Sequence, residues 1–107
     1  MVDLRAGLHS PAVTALRRPL DTGEVWVKAS GGDRLAVSPP SMADSAALAA
    51  LLVRSAPERV VWGTDFPHPN THGFVPDDGD LLADIAPDPD QRRRLLVDNP
   101  TTCFDFP

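Results

Sequence analysis

The sequence predicts an α/β fold organised around one βαβ unit. Two short runs of β-branched, apolar and aromatic residues, at 25–29 and 59–63, are typical of buried strands. Between them, residues 42–55 place leucines at helical spacing among several alanines, which favours a helix. A helix that joins consecutive strands in this way implies that the strands are parallel and that the crossover is right-handed.

Polar caps and prolines predict where the first two helices begin and end. Ser10, followed by a proline, favours a helix start, and Pro19 is expected to end that helix. Ser41 and Asp44 fit a capping box at the start of the helix over 42–55, in which each side chain bonds to the backbone of the other residue.

Two shorter helices are predicted after the second strand, beyond a turn at 76–79. The first covers residues 80–86. The second has Asp88 as its N-cap, uses the apolar residues 95–97 as its contacts and ends at Asn99, before a proline, where a last turn carrying Phe104 and Phe106 is the expected continuation.

The predicted sheet is too small to be complete. Both strands read as buried on both faces, yet the sequence provides only two of them. Parallel sheets need cover on both faces and usually more strands. Either the N-terminal segment contains a further strand, or the chain is one part of a larger α/β fold, and the second is the expected case.

Composition argues against several classes of partner. The 107 residues carry a net charge of -5, which argues against nucleic acid and anionic membranes. Cys103 is the only cysteine, so no internal disulfide can form and a reducing compartment is expected. No apolar run approaches the length of a membrane span, and the start lacks a signal-peptide core. Together these features predict a cytoplasmic protein.

The end of the second strand carries the strongest indication of chemistry. The apolar run gives way to Gly63, Thr64 and Asp65, followed by a proline-rich polar loop. In parallel α/β folds the carboxyl ends of the strands face the crevice where ligands bind. Asp65 is therefore predicted to be a catalytic base or a ligand; the alternative is that it only caps the following turn.

A family resemblance rests on the same stretch. Residues 60–70, Val-Val-Trp-Gly-Thr-Asp-Phe-Pro-His-Pro-Asn, resemble the last barrel strand of the amidohydrolase-related (β/α)8 family, and within it the 2-pyrone-4,6-dicarboxylate lactonases. The resemblance extends through 76–79 and 95–100, and upstream through the strand at 25–28. It covers about residues 24–106, so residues 1–107 are expected to be the C-terminal part of a TIM-barrel domain.

The resemblance implies a hydrolase that opens a dicarboxylate lactone. It implies that Asp65 activates water as a catalytic base and that Arg34 grips a substrate carboxylate through its guanidinium fork. His68 does not match a histidine of the family, but its place between two prolines next to Asp65 predicts that it shapes the mouth of the site or donates to a bound substrate anion. The resemblance implies no metal and no other cofactor. The family's first-strand histidine pair has no counterpart in this chain.

Other readings of the same residues stay open. Arg34 could form a surface ion pair with Asp33, and His68 could only stiffen its loop. Within the superfamily, the alternative is a zinc-dependent decarboxylase or hydrolase in which Asp65 binds the ion. Outside enzymes, the chain could be a non-catalytic partial barrel that self-associates through exposed strand edges.

Overall fold

The computed structural model describes residues 4–32, 36–38, 41–65 and 77–105. Strand β1 (Val27–Ala29) and strand β2 (Val60–Trp62) pair in parallel, with Lys28 opposite Val61. Helix α2 (Ala43–Ser55) joins them. The predicted βαβ unit is confirmed, although each strand is only three residues long.

The remaining elements surround this unit. A 3-10 turn at Leu4–Ala6 and helix α1 (Pro11–Asp21) precede β1. After β2 the described chain continues with helix α3 (Asp78–Ile85), and then with one continuous helical stretch. That stretch comprises α4 (Pro89–Arg93), a π-helical segment (Arg94–Asp98) and α5 (Asn99–Phe104). No helix in the described part is both long enough and apolar enough to span a bilayer.

The two faces of the sheet differ. On one face, Val27, Ala29, Val60 and Trp62 pack against an apolar core that α1, α2, α3 and the π segment supply. Lys28 lies on the other face, because neighbouring residues of a strand point to opposite sides, and it is exposed. The prediction that both strands are buried on both faces is therefore wrong for β1.

Helix α1 begins as predicted and ends later. The Ser10 hydroxyl accepts a hydrogen bond from the backbone N–H of Val13, 3.3 Å away. Pro19 does not end the helix, which continues to Asp21. A proline removes one backbone donor, so the carbonyl four residues earlier loses its helical partner. Leu20 beside it is fully buried and anchors the end of the helix despite that loss.

The capping box at the start of α2 is wrong. The N-cap is Met42, without a side-chain cap bond. The Asp44 carboxylate instead accepts from the backbone N–H of Val37 at 2.7 Å and from that of Ser45 at 2.9 Å. Asp44 therefore joins α2 to the segment that precedes it rather than to Ser41.

Helix α3 starts earlier than predicted. Asp77 is its N-cap and accepts from the backbone N–H of Asp80 at 2.9 Å. The turn expected at 76–79 is thus replaced from Asp78 onward by the first helical turn.

The last helical stretch departs from the prediction at two points. Asp88 caps it as expected, accepting from the N–H of Asp90 at 2.9 Å. Of the three apolar residues 95–97, however, only Leu95 is buried. Asn99 does not interrupt the helical stretch: it begins α5, which takes the place of the last turn expected there, and its side chain lies in the interior.

Candidate active site

The carboxyl ends of the two strands border a cavity of about 190 Å³. Its walls come from β1 and the Ser30–Gly32 loop, from the residues that follow β2, and from the inner sides of three helices. The helical residues that line it are Leu16 of α1; Met42, Ser45, Leu48, Ala49 and Leu52 at or in α2; and Leu81 and Ile85 of α3. The cavity is mainly apolar and lies where parallel α/β folds bind ligands.

Asp65 follows directly on this cavity. Thr64 is a lining residue, and Asp65 is the next residue of the chain, three positions beyond the end of β2. Its backbone has a φ of 62°, in the left-handed region, and its side chain is half-buried. Residues other than glycine adopt that region at a cost of about 1–2 kcal/mol, and such strain is concentrated at functional sites.

The loop after β1 approaches α2 closely. Gly31 has a φ of 66°, which lets the chain turn sharply as it leaves the strand. A Cβ atom on Gly32 would lie 3.3 Å from Cε of Met42 and 3.4 Å from the Ser45 hydroxyl oxygen. A glycine at position 32 therefore keeps the loop close to the first turn of α2 and shapes one wall of the cavity.

A buried amide holds the start of β2. Asn99 is 4% exposed, and its Nδ2 atom donates to the carbonyl oxygens of Pro57 and Val60, each 2.8 Å away. The backbone N–H of Val27 donates to the carbonyl of Arg59, so the Val60 carbonyl points away from β1. Asn99 thus supplies the hydrogen-bond donor for the Val60 carbonyl, on the edge of β2 that faces away from β1.

Two of the three predicted site residues cannot be placed. Arg34 and His68 lie outside the described residues, and Asp65 alone is described. Within the described ranges, no three His, Cys, Asp or Glu side chains lie close enough together to hold a metal ion. These residues do not by themselves supply a divalent-ion site, and the absence of a cofactor stays a prediction.

Sequence reasoning missed Asn99 and Lys28. Asn99 was expected to stop a helix because it precedes a proline, and only its long-range bonds reveal its position. Lys28 was noted only as part of a strand. The signal available for Lys28 was a charge in the middle of an otherwise apolar run, at a position that alternation places opposite the core.

Comparisons with known proteins agree with this architecture. The amidohydrolase family model matches residues 1–106. A 4-sulfomuconolactone hydrolase from Hydrogenophaga intermedia is 44% identical over 103 residues, which cover 92% of this chain and 34% of the relative. A 2-pyrone-4,6-dicarboxylate hydrolase from Comamonas testosteroni is 41% identical over 91 residues, covering 75% of this chain and 30% of the relative.

A solved structure gives the same result in three dimensions. The apo crystal structure of an Agrobacterium tumefaciens protein superposes with a TM-score of 0.75 and 34% sequence identity, covering 92% of this chain and 37% of that one. The chain spans about a third of the length of the curated relatives it matches. Since the family model covers nearly the whole chain and the fold agrees, the chain belongs to the amidohydrolase family.

Proposed function

We propose that the protein hydrolyses a lactone that carries anionic groups, such as a pyrone dicarboxylate, with Asp65 as the general base. The observation that carries the proposal is the position of Asp65 at the carboxyl edge of the parallel sheet, directly after the cavity-lining Thr64. Two relatives whose names describe lactone hydrolysis support the reaction class.

The mechanism follows from a carboxylate next to a cavity. Asp65 takes a proton from a water molecule, and the water oxygen attacks the lactone carbonyl carbon. The tetrahedral intermediate collapses with cleavage of the ring C–O bond, and the departing oxygen recovers a proton from Asp65. The product is a ring-opened acid, and Asp65 returns to its ionised form. Arg34 and His68 are proposed to hold the carboxylates of the substrate.

The experiment compares Asp65→Asn with the parent sequence. Hydrolysis of 2-pyrone-4,6-dicarboxylate is followed by the loss of pyrone absorbance. Asparagine keeps the side-chain size and tolerates a positive φ, so the loss is expected to be chemical, about 100-fold or more. Asp98→Asn, a change at an exposed helical carboxylate, is the matched control and is expected to keep full activity. Activity is expected to survive chelation with EDTA.

The assay has two arms because the chain matches only part of its relatives. One arm uses the 107-residue chain. The other uses a chimera in which this chain replaces the matching segment of the Comamonas testosteroni hydrolase. Undiminished hydrolysis by the Asp65→Asn chimera contradicts the role of Asp65. Activity in the chimera but not in the chain shows that the chain needs further barrel segments.

A second candidate is a non-catalytic partial barrel, cytoplasmic in location, that self-associates through its strand edges. The observation that favours it is the two-stranded sheet, which is far smaller than a closed barrel and leaves one edge of β1 unpaired among the described residues. A stable oligomer without lactonase activity, in the chain and the chimera alike, would support this candidate over the first.

A further inference from the structure

We propose that Lys28 determines substrate specificity by binding an anionic group of the lactone. This inference rests on the proposed function and deepens it, because it names the group that recognises the charge of the substrate. It is carried by the position of the Lys28 side chain, which reaches Gly63 at the carboxyl end of β2, two residues before Asp65.

The register of the sheet fixes that face. Lys28 lies opposite Val61, and both residues alternate with neighbours that pack on the helical core. Val61 is only 6% exposed although it does not belong to the core cluster, so this face is apolar next to Lys28. A lysine there can lay its methylene stem along the sheet and carry its ammonium toward the end of the neighbouring strand.

The contact with Gly63 shows where the side chain goes. A Cβ atom on Gly63 would lie 3.3 Å from Cε and 3.9 Å from Nζ of Lys28. The ammonium thus lies beside Gly63, two residues before Asp65.

The charge of Lys28 is distinctive in this environment. Lys28 is the one charged residue among the described residues that border the cavity, and its side chain lies on the sheet face opposite the helical walls. The ion pair found within the described ranges, between Arg93 and Asp98, does not involve it. Lys28 is also the only lysine of the sequence, whose other nine cationic side chains are arginines.

This arrangement fits a lactone with a carboxylate or a sulfonate. A lysine ammonium is a compact charge with three donors on a flexible stem, so it can follow either group, whereas a guanidinium fork is matched to a planar carboxylate. With the anion on Lys28, the lactone carbonyl can lie toward Asp65. An uncharged lactone lacks this contact and binds without orientation.

The first experiment measures binding, separately from hydrolysis. Calorimetry on the full chain compares 2-pyrone-4,6-dicarboxylate with uncharged 2-pyrone. Lys28→Met is expected to weaken dicarboxylate binding about 10-fold or more, which is the usual effect of losing a charge-assisted hydrogen bond. The affinity for 2-pyrone is expected to change by about twofold or less. Lys28→Arg is expected to restore most of the loss. Raising the salt concentration should weaken binding to the parent chain and have little effect on Lys28→Met.

Arg93→Met is the matched control, since it removes the same unit charge from an exposed helical position outside the cavity lining. Equal loss in Arg93→Met and Lys28→Met contradicts a specific contact and indicates a general effect of net charge. Dicarboxylate binding by Lys28→Met at the parent affinity overturns the inference alone. The same titration is run on the chimera, because the chain matches only part of its relatives. Failure of both the parent chain and the chimera to bind the dicarboxylate overturns the inference together with the proposed function, whereas binding without hydrolysis in both overturns the proposed function only.

A second measurement does not depend on a substitution. Reductive methylation with ¹³C-formaldehyde labels the single lysine and the N-terminal amine, which gives two resolved NMR signals. The Lys28 signal is expected to shift on addition of the dicarboxylate and to stay in place with 2-pyrone, while the N-terminal signal serves as the internal reference. A dicarboxylate titration that moves neither signal overturns the inference.

Discussion

Asp65 combines a left-handed backbone with a proposed chemical role, and the two can be separated. Aspartate tolerates a positive φ better than most residues because its short side chain bonds locally to the backbone. The residue type could thus serve the backbone alone. The backbone role and the catalytic role can be distinguished by two substitutions that both remove the carboxylate but differ in how easily they adopt a positive φ.

Asp65→Gly and Asp65→Ala are expected to differ in stability and to agree in activity. Glycine adopts a φ of 62° without strain, whereas alanine is expected to unfold about 1 kcal/mol more easily than glycine. Both variants lack the base and should be inactive wherever the parent sequence is active. Urea unfolding of the two variants measures the difference. Equal stability would show that the left-handed conformation is not maintained in solution.

Asn99 is expected to be the most costly polar residue to replace among those whose bonds are described. Asn99→Ala leaves the Pro57 and Val60 carbonyls without their donor and is expected to destabilise the chain by about 1–3 kcal/mol. Asn99→Asp should be worse, because a carboxylate would face two carbonyl oxygens. Thr102→Ala, which removes an exposed hydroxyl bonded to Asp98, is the control and should change stability by about 0.5 kcal/mol or less. A neutral Asn99→Ala substitution would contradict the bonds described here.

At the scale of the elements, the start of α2 gives a direct comparison between two polar residues. Asp44→Ala removes both bonds of that carboxylate and is expected to cost about 1 kcal/mol, with faster hydrogen exchange at the Val37 amide. Ser41→Ala removes only a 3.4 Å contact with the Ala43 amide and should be nearly neutral. If Ser41→Ala destabilises the chain more than Asp44→Ala does, Ser41 is the functional cap of α2 and the bonds described for Asp44 do not hold its start.

The sequence predicted the elements better than their ends. Strand β1, helix α2 and strand β2 follow from local hydrophobic patterns, which depend on nearby residues only. Pro19 and Asn99 were misread because tertiary contacts outweigh local breaking signals: Leu20 is fully buried at the end of α1, and the Asn99 amide bonds to carbonyls about forty residues away. Local patterns contain no information on such contacts.

The candidate site could be predicted only in part. Asp65 was predicted as a site residue because the end of a buried strand is a local and recurrent location for chemistry, and its catalytic role stays a prediction. Lys28 was missed because its importance depends on the register between β1 and β2, in which it lies opposite Val61. Register is set by the packing of both strands and is not visible in either strand alone.

At the scale of the whole molecule, the two-stranded sheet has one edge of β1 that no described residue pairs with. In β1 the Val27 amide bonds across the sheet to Arg59, so the Lys28 amide points to the other side. The helical surface adds exposed apolar groups, among them Val97 at 49% and Phe104 at 58% exposure. Such surfaces favour association with another chain or with a further segment of the same fold.

Self-association through this edge is expected to be visible residue by residue. As the chain concentration rises, the Lys28 amide should gain protection from hydrogen exchange, while the Val27 amide, already bonded within the sheet, should change little. Size-exclusion chromatography at the same concentrations should show a larger species. A monomer with an unprotected Lys28 amide at every concentration contradicts association through the strand edge.

The π-helical segment Arg94–Asp98 has a consequence for which sequence changes this region can accept. A π turn accommodates one more residue than an α turn, and each residue rotates a helix by about 100°. The surplus residue therefore sets the direction in which the next turn presents its side chains. Substituting the exposed Leu96 should leave stability unchanged. Deleting it would convert the π turn to regular α geometry and rotate the Asn99 side chain away from the Pro57 and Val60 carbonyls that it bonds. Chain length in this segment, more than residue identity, is what natural variants must preserve.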